Sequence, residues 1–503
     1  MVRLLSIFLL LSWLPVQAQT YFNERYPHNG EPSFVCSVVP TDSGYLTMGQ
    51  SYNPMMRTYG VLIRWLDPQG NLLRTRSHTR LGYSIGAPAG DNLMMLPDGG
   101  FVVSTGCHPP SGDSFTMLWR FNAQGDTLWT RSYPLGVPSY SLGNCRTADG
   151  GFAITGDILS ATGHKDLLLL RTDSAGNMLW YRQYRVRVGN IGYCVVATAD
   201  QGFILGGYTF DAGFFNADTY VIKTDSVGGL QWQRTLGART LNDLIGFVRP
   251  LADGNYAVLA AISKRIIGGF DQRRFIIYKL NGQGQTMWQR EIGPARSSTD
   301  AYALLELPDG SLVGAGQDGD PTGASPRGNS FPQGAMFKLC PNGDSLWYRN
   351  YKLLLGGNSH HYPRCLQPTA DSGFVVGGFL FANFPDVGTN DGWVFKTNQY
   401  GQVNPGTLPP MISCQPTGLS PEPAAAAELV SVYPNPSATG RFTVALMSGM
   451  ATLTVTDALG RQLLHVSTSE PETMLDLSHQ PAGMYVLRLQ WPDGRSLTRK
   501  LLR

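Results

Sequence analysis

The densest cluster of side chains that could bind a ligand lies near residue 360 of the 503-residue chain. It consists of His360, His361, Tyr362 and Arg364. Adjacent histidines in an extended segment point to opposite sides, so this pair is poorly placed to chelate one metal ion. The pattern predicts a surface loop, and contact between these side chains and a ligand is the alternative.

A glycine-rich segment at residues 314–319, Gly-Ala-Gly-Gln-Asp-Gly, matches the G-x-G-x-x-G pattern of dinucleotide-binding loops. Such a loop needs a helix directly after its glycines. Pro321 and Pro326 follow here, so we expect no nucleotide site. Asp318 and Asp320 could bind calcium, but without a downstream acidic ligand a solvated loop is the better prediction. Both aspartates join the histidine cluster as candidate ligand-binding residues.

Two sequence patterns of common catalytic sites are absent, since the chain has no H-E-x-x-H and no P-loop motif. None of its seven cysteines forms a C-x-x-C pair. We therefore predict no catalytic residue, no metal and no cofactor. A catalytic site assembled from residues far apart in the sequence stays open, because spacing does not reveal it.

An internal repeat indicates which elements must position these side chains. The motif Asp-x-Gly-aromatic, counted with its looser copies, occurs seven times at spacings of 51 to 62 residues. The aspartates of this motif are Asp42, Asp98, Asp149, Asp200, Asp253, Asp309 and Asp371. An aspartate present in every repeat is better explained as a turn former than as a catalyst. The period is close to that of a β-propeller blade.

A second turn motif, followed by tryptophan in most repeats, divides each repeat into four short strands. The tryptophans are Trp129, Trp180, Trp232, Trp288 and Trp347. In the first repeat we expect strands at 33–40, 45–50, 61–66 and 72–76. Asp, Gly and Asn supply the positive φ angles of tight hairpins, and apolar strand residues pack between blades. The sequence predicts an all-β fold with a seven-bladed propeller at 19–404.

The last repeat lacks a fourth strand of its own. Residues 21–26, Tyr-Phe-Asn-Glu-Arg-Tyr, are similar to residues 128–133, Leu-Trp-Thr-Arg-Ser-Tyr, which form the fourth strand of the second repeat. We therefore expect the N-terminal segment to complete blade seven. This closure would protect a strand edge that is otherwise exposed.

The loops of the repeat indicate which face carries the function. The turns between strands one and two and between strands three and four are tight in every repeat. The loops between strands two and three and the blade crossovers vary, as at 107–114, 208–219, 262–274 and 317–333. Binding usually lies in variable loops on a rigid scaffold, so we expect a glycan or protein ligand on this face.

The positions of the cysteines follow the repeat. Cys36, Cys194 and Cys365 each lie six residues before a repeated aspartate, which predicts equivalent inner-strand sites too far apart to bond. Cys107 and Cys145 belong to neighbouring blades, and a disulfide between them is an alternative. The main expectation is that most cysteines are small buried residues.

The N-terminus fits a cleavable secretory signal peptide at residues 1–18. Arg3 precedes an apolar run at 4–14, and Val16-Gln17-Ala18 fits the small-x-small cleavage rule. The apolar run of eleven residues is too short to span a bilayer, and no later transmembrane segment is predicted. The net charge of +3 argues against nucleic acid as a partner.

The C-terminal part differs in composition from the repeats. Residues 405–428 are rich in proline and alanine, which predicts an extended linker. Residues 429–503 form a separate domain of about seven short strands, which predicts a small immunoglobulin-like β-sandwich. The clearest predicted strands lie at 442–446, 451–456, 462–466, 473–477, 484–490 and 496–501.

Three ordered motifs in this domain resemble one known family. They contain Tyr433, Pro434, Asn435 and Pro436, then Gly460, then Gly483 and Tyr485. They resemble the type A C-terminal sorting domain of the type IX secretion system. The resemblance implies a Bacteroidota source, export by the type IX machinery, and release or attachment to surface lipopolysaccharide. It implies nothing about the activity of the propeller.

The preferred interpretation is therefore a secreted or cell-surface β-propeller that binds a glycan or protein without catalysis. The alternative is an enzyme that degrades polysaccharide or peptide, which needs acidic residues that converge near the channel on the variable-loop face. The pattern Asp-x-x-Gly-x-x-x-Trp also resembles the repeat of pyrroloquinoline-quinone propellers. A quinoprotein is disfavoured, because contacts for that cofactor cannot be assigned.

Overall fold

A computed structural model divides the chain into two compact units, Met1–Cys414 and Gln415–Arg503. The residues that it describes are 20–86, 92–211, 216–237, 243–267, 270–293, 299–319, 332–354, 359–381, 390–404, 430–435, 437, 439–446, 451–457, 462–481, 483–491 and 496–503. These residues form strands, turns and bends, and no helix among them could cross a membrane. The predicted signal peptide at 1–18 and the predicted linker at 405–428 lie outside the described residues.

The strands of the first unit follow one another at the spacing of the sequence repeat. The first ten are β1 (Phe22–Tyr26), β2 (Ser33–Thr41), β3 (Gly44–Asn53), β4 (Thr58–Leu66), β5 (Leu72–His78), β6 (Ser84–Gly86), β7 (Leu93–Met95), β8 (Phe101–His108), β9 (Phe115–Phe121) and β10 (Thr127–Tyr133). The next eight are β11 (Ser139–Arg146), β12 (Phe152–Leu159), β13 (Lys165–Thr172), β14 (Met178–Tyr184), β15 (Gly189–Ala197), β16 (Phe203–Phe210), β17 (Asp218–Thr224) and β18 (Leu230–Leu236). The remaining strands are β19 (Leu244–Pro250), β20 (Tyr256–Ile267), β21 (Phe270–Leu280), β22 (Thr286–Ile292), β23 (Thr299–Glu306), β24 (Leu312–Gly319), β25 (Pro332–Leu339), β26 (Ser345–Tyr351), β27 (His360–Pro368), β28 (Phe374–Phe381) and β29 (Asp391–Thr397).

Most of these strands form four-stranded antiparallel meanders like the blades of a propeller. Strands β2 to β5, β19 to β22 and β23 to β26 each form one such sheet. Strands β11 to β18 form a larger sheet, in which a single parallel bridge between Lys165 and Gly189 joins two meanders. In the second repeat the inner strand is in two pieces, β6 and β7, which both pair with β8. The all-β prediction is confirmed.

The N-terminal strand belongs to the same sheet as the last strands of the first unit. Strand β1 pairs antiparallel with β29, with Phe22 opposite Lys396 and Tyr26 opposite Gly392. The order of this sheet is β1-β29-β28-β27. One buried cluster contains both Val35 of β2 and residues of β27, β28 and β29. The two ends of the repeat array therefore pack together.

The outer strands pack onto the second turn of the following repeat. Trp129 of β10 lies against Gly176, where a Cβ atom would be 2.7 Å from the indole ring. The hydroxyl of Tyr133 donates to the Gly176 carbonyl at 2.7 Å. The same tyrosine-to-glycine bond occurs in the pairs Tyr184–Gly228, Tyr351–Gly401 and Tyr26–Gly70. Because Tyr26 lies on β1, the N-terminal strand contacts the first repeat as other outer strands contact the next one.

The repeated aspartate forms an ion pair as well as a turn. Asp149 accepts the N–H of Gly151 at 3.2 Å and pairs with Arg171 of β13. The equivalent ion pairs are Asp98–Arg120, Asp200–Lys223, Asp253–Lys279, Asp309–Lys338 and Asp371–Lys396. In the first repeat Trp65 occupies the position of the Arg or Lys of this ion pair. These contacts give the aspartate a structural role.

The second unit consists of two small antiparallel sheets. Its strands are β30 (Val430–Tyr433), β31 (Arg441–Leu446), β32 (Ala451–Thr456), β33 (Gln462–Thr468), β34 (Glu472–Asp476), β35 (Met484–Gln490) and β36 (Ser496–Leu502). The sheet orders are β30-β31-β34 and β33-β32-β35-β36. Along β32 buried and half-buried residues alternate, because successive side chains of a strand point to opposite faces. Val444 and Leu475 of one sheet share a core with Leu453 and Leu487 of the other.

Candidate functional site at the channel mouth

A β-bulge occurs at the same place in the inner strand of several repeats. In β27, Pro363 and Cys365 lie opposite adjacent residues of β28, so Arg364 is the extra residue. The equivalent extra residues are Cys36 in β2, Leu142 in β11, Tyr193 in β15 and Tyr302 in β23. A bulge re-aims a side chain and bends the strand locally. We call these five the bulge residues.

The inner strands enclose a channel. A cavity of about 190 Å³ within it is lined by β7, β11, β15, β19, β23 and β27. Tyr193 and Tyr302 line this cavity together with Arg249, whose Nε donates to the Leu304 carbonyl at 2.8 Å. The channel therefore joins side chains from repeats that are far apart in sequence.

A second set of residues lies one step closer to the loops between strands two and three. In several repeats the residue five positions after the fourth residue of the Asp-x-Gly-aromatic motif is partly exposed on the second strand. These residues are Gln50, Asp157, Tyr208, Gln317 and Phe379. The residues opposite them on the inner strands are Phe34, Tyr140, Ile191, Asp300 and Tyr362. We call these ten the mouth residues and the end of the channel they surround the channel mouth. Each repeat contributes a different pair.

Aromatic rings form much of the channel mouth. The Phe379 ring centre lies 4.7 Å from that of Tyr362 and 4.8 Å from that of Phe34. Tyr193 and Tyr208 form another pair at 5.7 Å. These separations lie in the range of favourable aromatic contacts, about 4.5–7 Å. The rings are half-buried, so part of each remains accessible at the mouth.

The second repeat makes room for an aromatic ring of its neighbour. Gly86 and Gly106 occupy the positions of a mouth pair there. A Cβ atom at either glycine would collide with the ring of Tyr140 from β11. The absence of side chains on these two residues therefore lets Tyr140 lie across the adjacent blade.

Two carboxyl groups lie at the channel mouth. Asp300 pairs with Arg273 at 2.8 Å and accepts a hydrogen bond from the Gln317 amide. Burial raises the pKa of Asp300, and the nearby Arg273 and Arg364 guanidiniums oppose that rise. Burial also raises the pKa of Asp157, which the Lys165 ammonium opposes from 3.0 Å. Both carboxyls therefore take up protons more readily than solvated aspartates do.

The predicted histidine cluster lies on strand β27, so the surface-loop prediction is wrong. Its side chains alternate as expected for an extended segment. His361 is fully buried, and its Nε2 accepts the N–H groups of Leu353 at 3.0 Å and Leu354 at 3.1 Å. Burial lowers the pKa of His361 to about 4. His360 is half-buried beside Tyr362, with ring centres 5.9 Å apart.

The candidate aspartates also differ from the prediction of a solvated loop. Asp318 lies in β24 and is buried, because strand pairing continues to Gly319. Its carboxylate accepts a hydrogen bond from the Tyr348 hydroxyl at 2.7 Å. Asp320 lies outside the described residues. The glycine-rich segment is itself part of β24. In the described chain, no group of three His, Cys, Asp or Glu residues could hold a metal ion.

The variable loops are shorter than the sequence indicates. Tyr208 belongs to β16 and Ile262 to β20, which pairs with β21 as far as Ile267. Parts of three loops, residues 212–215, 268–269 and 320–331, lie outside the described residues.

The cysteines are mostly buried thiols, as expected. Cys107 and Cys145 are not joined, so the alternative of a disulfide between them is wrong. Cys340 is disulfide-bonded. Cys194 and Cys365 directly follow the bulge, but Cys36 is the bulge residue itself. The first Asp-Gly turn is one residue shorter than the turns of those two repeats, which shifts Cys36 by one position.

Sequence reasoning singled out Arg364 and Tyr362 but missed the other bulge and mouth residues. Outside the first repeat, each bulge residue lies seven residues before the repeated aspartate, as with Tyr193 and Asp200. Each mouth residue of a second strand lies five residues after the fourth residue of the motif, as with Phe203 and Tyr208. An alignment of the repeats at these two offsets would have found the mouth.

The predicted sorting motifs lie on the second unit. The Tyr433 hydroxyl donates to Glu472 at 2.8 Å, and the Tyr433-Pro434 peptide is cis. Gly483 exchanges backbone hydrogen bonds with Arg503 at 2.9 and 3.0 Å. Tyr485 is buried, and its hydroxyl donates to the Pro481 carbonyl. Asn435 is described, whereas Pro436 and Gly460 lie outside the described residues.

Residues 431–502 match the family described as secretion system C-terminal sorting domain. They are a type IX sorting domain. The protein is therefore a β-propeller exported by the type IX secretion machinery, and it is secreted or attached to the cell surface.

Similar solved structures share little sequence with the chain. A protein of unknown function from Dyadobacter fermentans has 10% identity and a TM-score of 0.42, over 63% of this chain and 99% of its own. PorZ of Porphyromonas gingivalis, a surface component of the type IX system, has 10% identity and a TM-score of 0.28, over 98% and 87%. An α-L-arabinanase of Penicillium chrysogenum has 12% identity and a TM-score of 0.40, over 61% and 92%. No curated protein matches the sequence.

Proposed function

We propose that this protein is a seven-bladed propeller that binds a glycan or protein ligand at the channel mouth without catalysis. The observation that carries the proposal is the set of mouth residues. Most of them are half-buried aromatic or polar side chains, they lie on the inner and second strands of the repeats, and they differ from repeat to repeat. A few polar groups among aromatic surfaces in a concave site are typical of ligand binding.

The contacts between repeats support the number seven. Glycines of the second turns lie against rings of the preceding repeat or of β1; they are Gly70, Gly125, Gly176, Gly228, Gly284, Gly343 and Gly401. The ring at Gly70 is Phe22 of β1, which pairs with β29 of the last repeat. Seven contacts of one type, the last returning to the first repeat, fit a closed ring of seven blades.

We propose the following domain boundaries and final location. A signal peptide at 1–18 is removed, the propeller occupies 19–404, a linker follows at 405–428, and an immunoglobulin-like sandwich at 429–503 directs export. The packing of two small sheets around one core supports the last assignment. After sorting, the propeller is released or attached to surface lipopolysaccharide.

Binding by the mouth can be tested with the full chain on a glycan array and on immobilised matrix proteins. We expect saturable binding, with no breakdown products in a parallel assay. The Tyr208→Ala variant removes a ring of the mouth and should weaken binding of the identified ligand about 10-fold, since aromatic contacts and buried area at a site are together worth more than about 1 kcal/mol.

The control is Tyr181→Ala, which removes a half-buried tyrosine from the outer strand β14. It should leave binding unchanged. Equal binding by both variants would place the ligand elsewhere and contradict the proposal. Failure of the wild type to bind any glycan or protein would contradict it as well.

A polysaccharide- or peptide-degrading enzyme is the second candidate, and the carboxyls of Asp157 and Asp300 favour it. Carboxyls with raised pKa values serve as general acids in hydrolases. The test is the assay for breakdown products. If products still formed after repurification, and Asp300→Asn or Asp157→Asn abolished their formation, the function would be catalysis and not binding alone.

A further inference from the structure

Arg364 is held among aromatic rings at the channel mouth. Its guanidinium carbon lies 4.1 Å from the ring centre of Tyr302, 5.2 Å from that of Phe379 and 5.8 Å from that of Tyr362. The bulge in β27 provides this orientation, since Arg364 is the residue without a cross-strand partner. The rings of two inner strands thus fix the plane of the guanidinium.

The hydrogen-bond donors of Arg364 have no acceptor within the described part of the chain. The interactions that the structure records for its side chain are these ring contacts and an electrostatic interaction with the Asp300 carboxyl. An arginine carries five N–H donors in a rigid fork that matches a carboxylate. The Asp300 carboxylate nearby is paired with Arg273, and Asp157 is paired with Lys165. Arg364 lies close enough to Asp300 to oppose the rise of that carboxyl's pKa, but it forms no ion pair with either mouth carboxylate.

We propose that Arg364 binds the carboxylate of an acidic sugar, so that the ligand of the channel mouth is a uronate-containing glycan. This inference rests on the proposed binding function and specifies its ligand class. The half-buried guanidinium is desolvated on its ring faces and retains its donor edge for the ligand. Charge-assisted bidentate bonds at such a site are stronger than neutral hydrogen bonds.

The other mouth residues fit a sugar better than a peptide. A pyranose ring has faces of C–H groups, which suit the flat rings of Tyr362 and Phe379. Its hydroxyl rim needs both donors and acceptors, which the Gln317 amide and the Asp300 carboxyl supply side by side. An acidic peptide carries its carboxylates on flexible side chains and lacks such flat faces of C–H groups.

The test compares acidic polysaccharides with their neutral counterparts. Oligomers of polygalacturonate, alginate and hyaluronan are titrated into the full chain, each beside a carboxyl-reduced form of the same length. Wild type should bind at least one acidic oligomer about 10- to 100-fold more tightly than its reduced form, as expected for hydrogen bonds to a charged group. Arg364→Gln should bind the acidic form as weakly as wild type binds the reduced form.

The matched control is Arg182→Gln. Arg182 also lies over a ring, 5.4 Å from the centre of Trp180, but it is on the outer strand β14. The Arg182→Gln variant removes the same charge as Arg364→Gln and should leave the preference for the acidic form intact. Circular dichroism and thermal unfolding confirm that both variants are folded, and Arg364→Lys, which keeps the charge without the fork, should restore part of the affinity.

The outcomes separate this inference from the proposed function. If acidic and reduced forms bound equally well and Tyr208→Ala weakened both, the channel mouth would still be a glycan site. The proposed role of Arg364 would then be wrong. Tighter binding of a tetraglutamate peptide than of any uronate would overturn the glycan in favour of an acidic protein segment. Binding of none of the acidic oligomers, together with binding of neutral glycans or proteins, would overturn the inference alone. Absence of all binding would overturn both.

Discussion

The two ends of each blade carry different kinds of residue. At the end with tight turns, the same aspartate pairs with Arg or Lys in six ion pairs, as in Asp149–Arg171. At the channel mouth, equivalent positions hold Phe34, Tyr140, Ile191, Asp300 and Tyr362. Both ends belong to the same strands, so the backbone does not explain the difference.

This difference indicates that the turn end of each repeat serves stability and the mouth end serves binding. Packing and turn formation are needed in every blade, so the residues that provide them recur. A ligand sits across several blades at once and needs different groups from each, so the mouth residues diverge while the strands stay constant. Substitutions at the turn end should affect stability, and substitutions at the mouth should affect binding.

The largest effect should come from a glycine of a turn that is also a packing surface. Gly176→Ala would place a methyl group 2.7 Å from Trp129 in a residue with φ of +78°. A left-handed conformation costs about 1–2 kcal/mol for alanine, and overpacking adds about 1–3 kcal/mol. We expect the free energy of unfolding of the propeller to fall by about 2–5 kcal/mol in urea denaturation.

The control for this change lies at the other end of the same meander. Gly163 has a φ of +77° and would meet no atom within 4 Å as alanine. Gly163→Ala should therefore show the conformational cost alone, about 1–2 kcal/mol. Equal losses in both variants would mean that the contact between Trp129 and the turn adds nothing to stability.

A smaller effect should come from the ion pair of the last repeat. Lys396 is 1% exposed and donates to both carboxylate oxygens of Asp371, at 2.9 and 2.8 Å. Lys396→Met leaves the partly buried Asp371 carboxylate without its lysine partner. We expect the free energy of unfolding to fall by about 2–3 kcal/mol in urea denaturation. Lys338→Met is the control, since Lys338 lies 3.8 Å from an Asp309 side chain that is 61% exposed. It should change stability much less, and a similar loss in both would contradict the dependence on burial.

The strands could be predicted closely, because turn chemistry and apolar alternation are local properties. Strands β32 and β35 lie where the sequence places them, at 451–456 and 484–490. In the first repeat the predicted strand at 45–50 is β3, Gly44–Asn53. Strands extend beyond the predicted ends because pairing with a neighbour continues past the last apolar residue. The sequence pattern does not contain that information.

The candidate site was harder to predict, because it depends on a bulge. Strict alternation along β27 would separate residues that the bulge brings to one side, and Arg364 is the extra residue. The sequence singled out the local density of polar groups around residue 360. It did not indicate that Tyr302, 62 positions away, lies against the same guanidinium. Such contacts arise from the packing of neighbouring repeats against each other.

The last prediction uses pH to compare the two ends within one blade. A side-chain hydrogen bond from Thr147, the N–H of Gly151 and the Arg171 guanidinium lower the pKa of Asp149, although burial opposes them. Its stabilising effect is complete above the unfolded pKa of about 3.9 and is lost as the pH falls through the folded value. Burial raises the pKa of Asp157, so its ionised form destabilises the fold, and that penalty disappears as the pH falls through the raised pKa.

Asp149→Asn should therefore lower the melting temperature at pH 7, and Asp157→Asn should raise it slightly. Both differences should shrink as the pH falls, and that of Asp157→Asn should shrink first because its pKa is the higher one. Thermal unfolding from pH 7 to pH 3 measures both. If Asp157→Asn lowered the melting temperature at pH 7, the Lys165 pair would outweigh the burial of the carboxyl. The mouth would then be stabilised by ion pairs in the same way as the turns, and the contrast between the two ends would not extend to electrostatics.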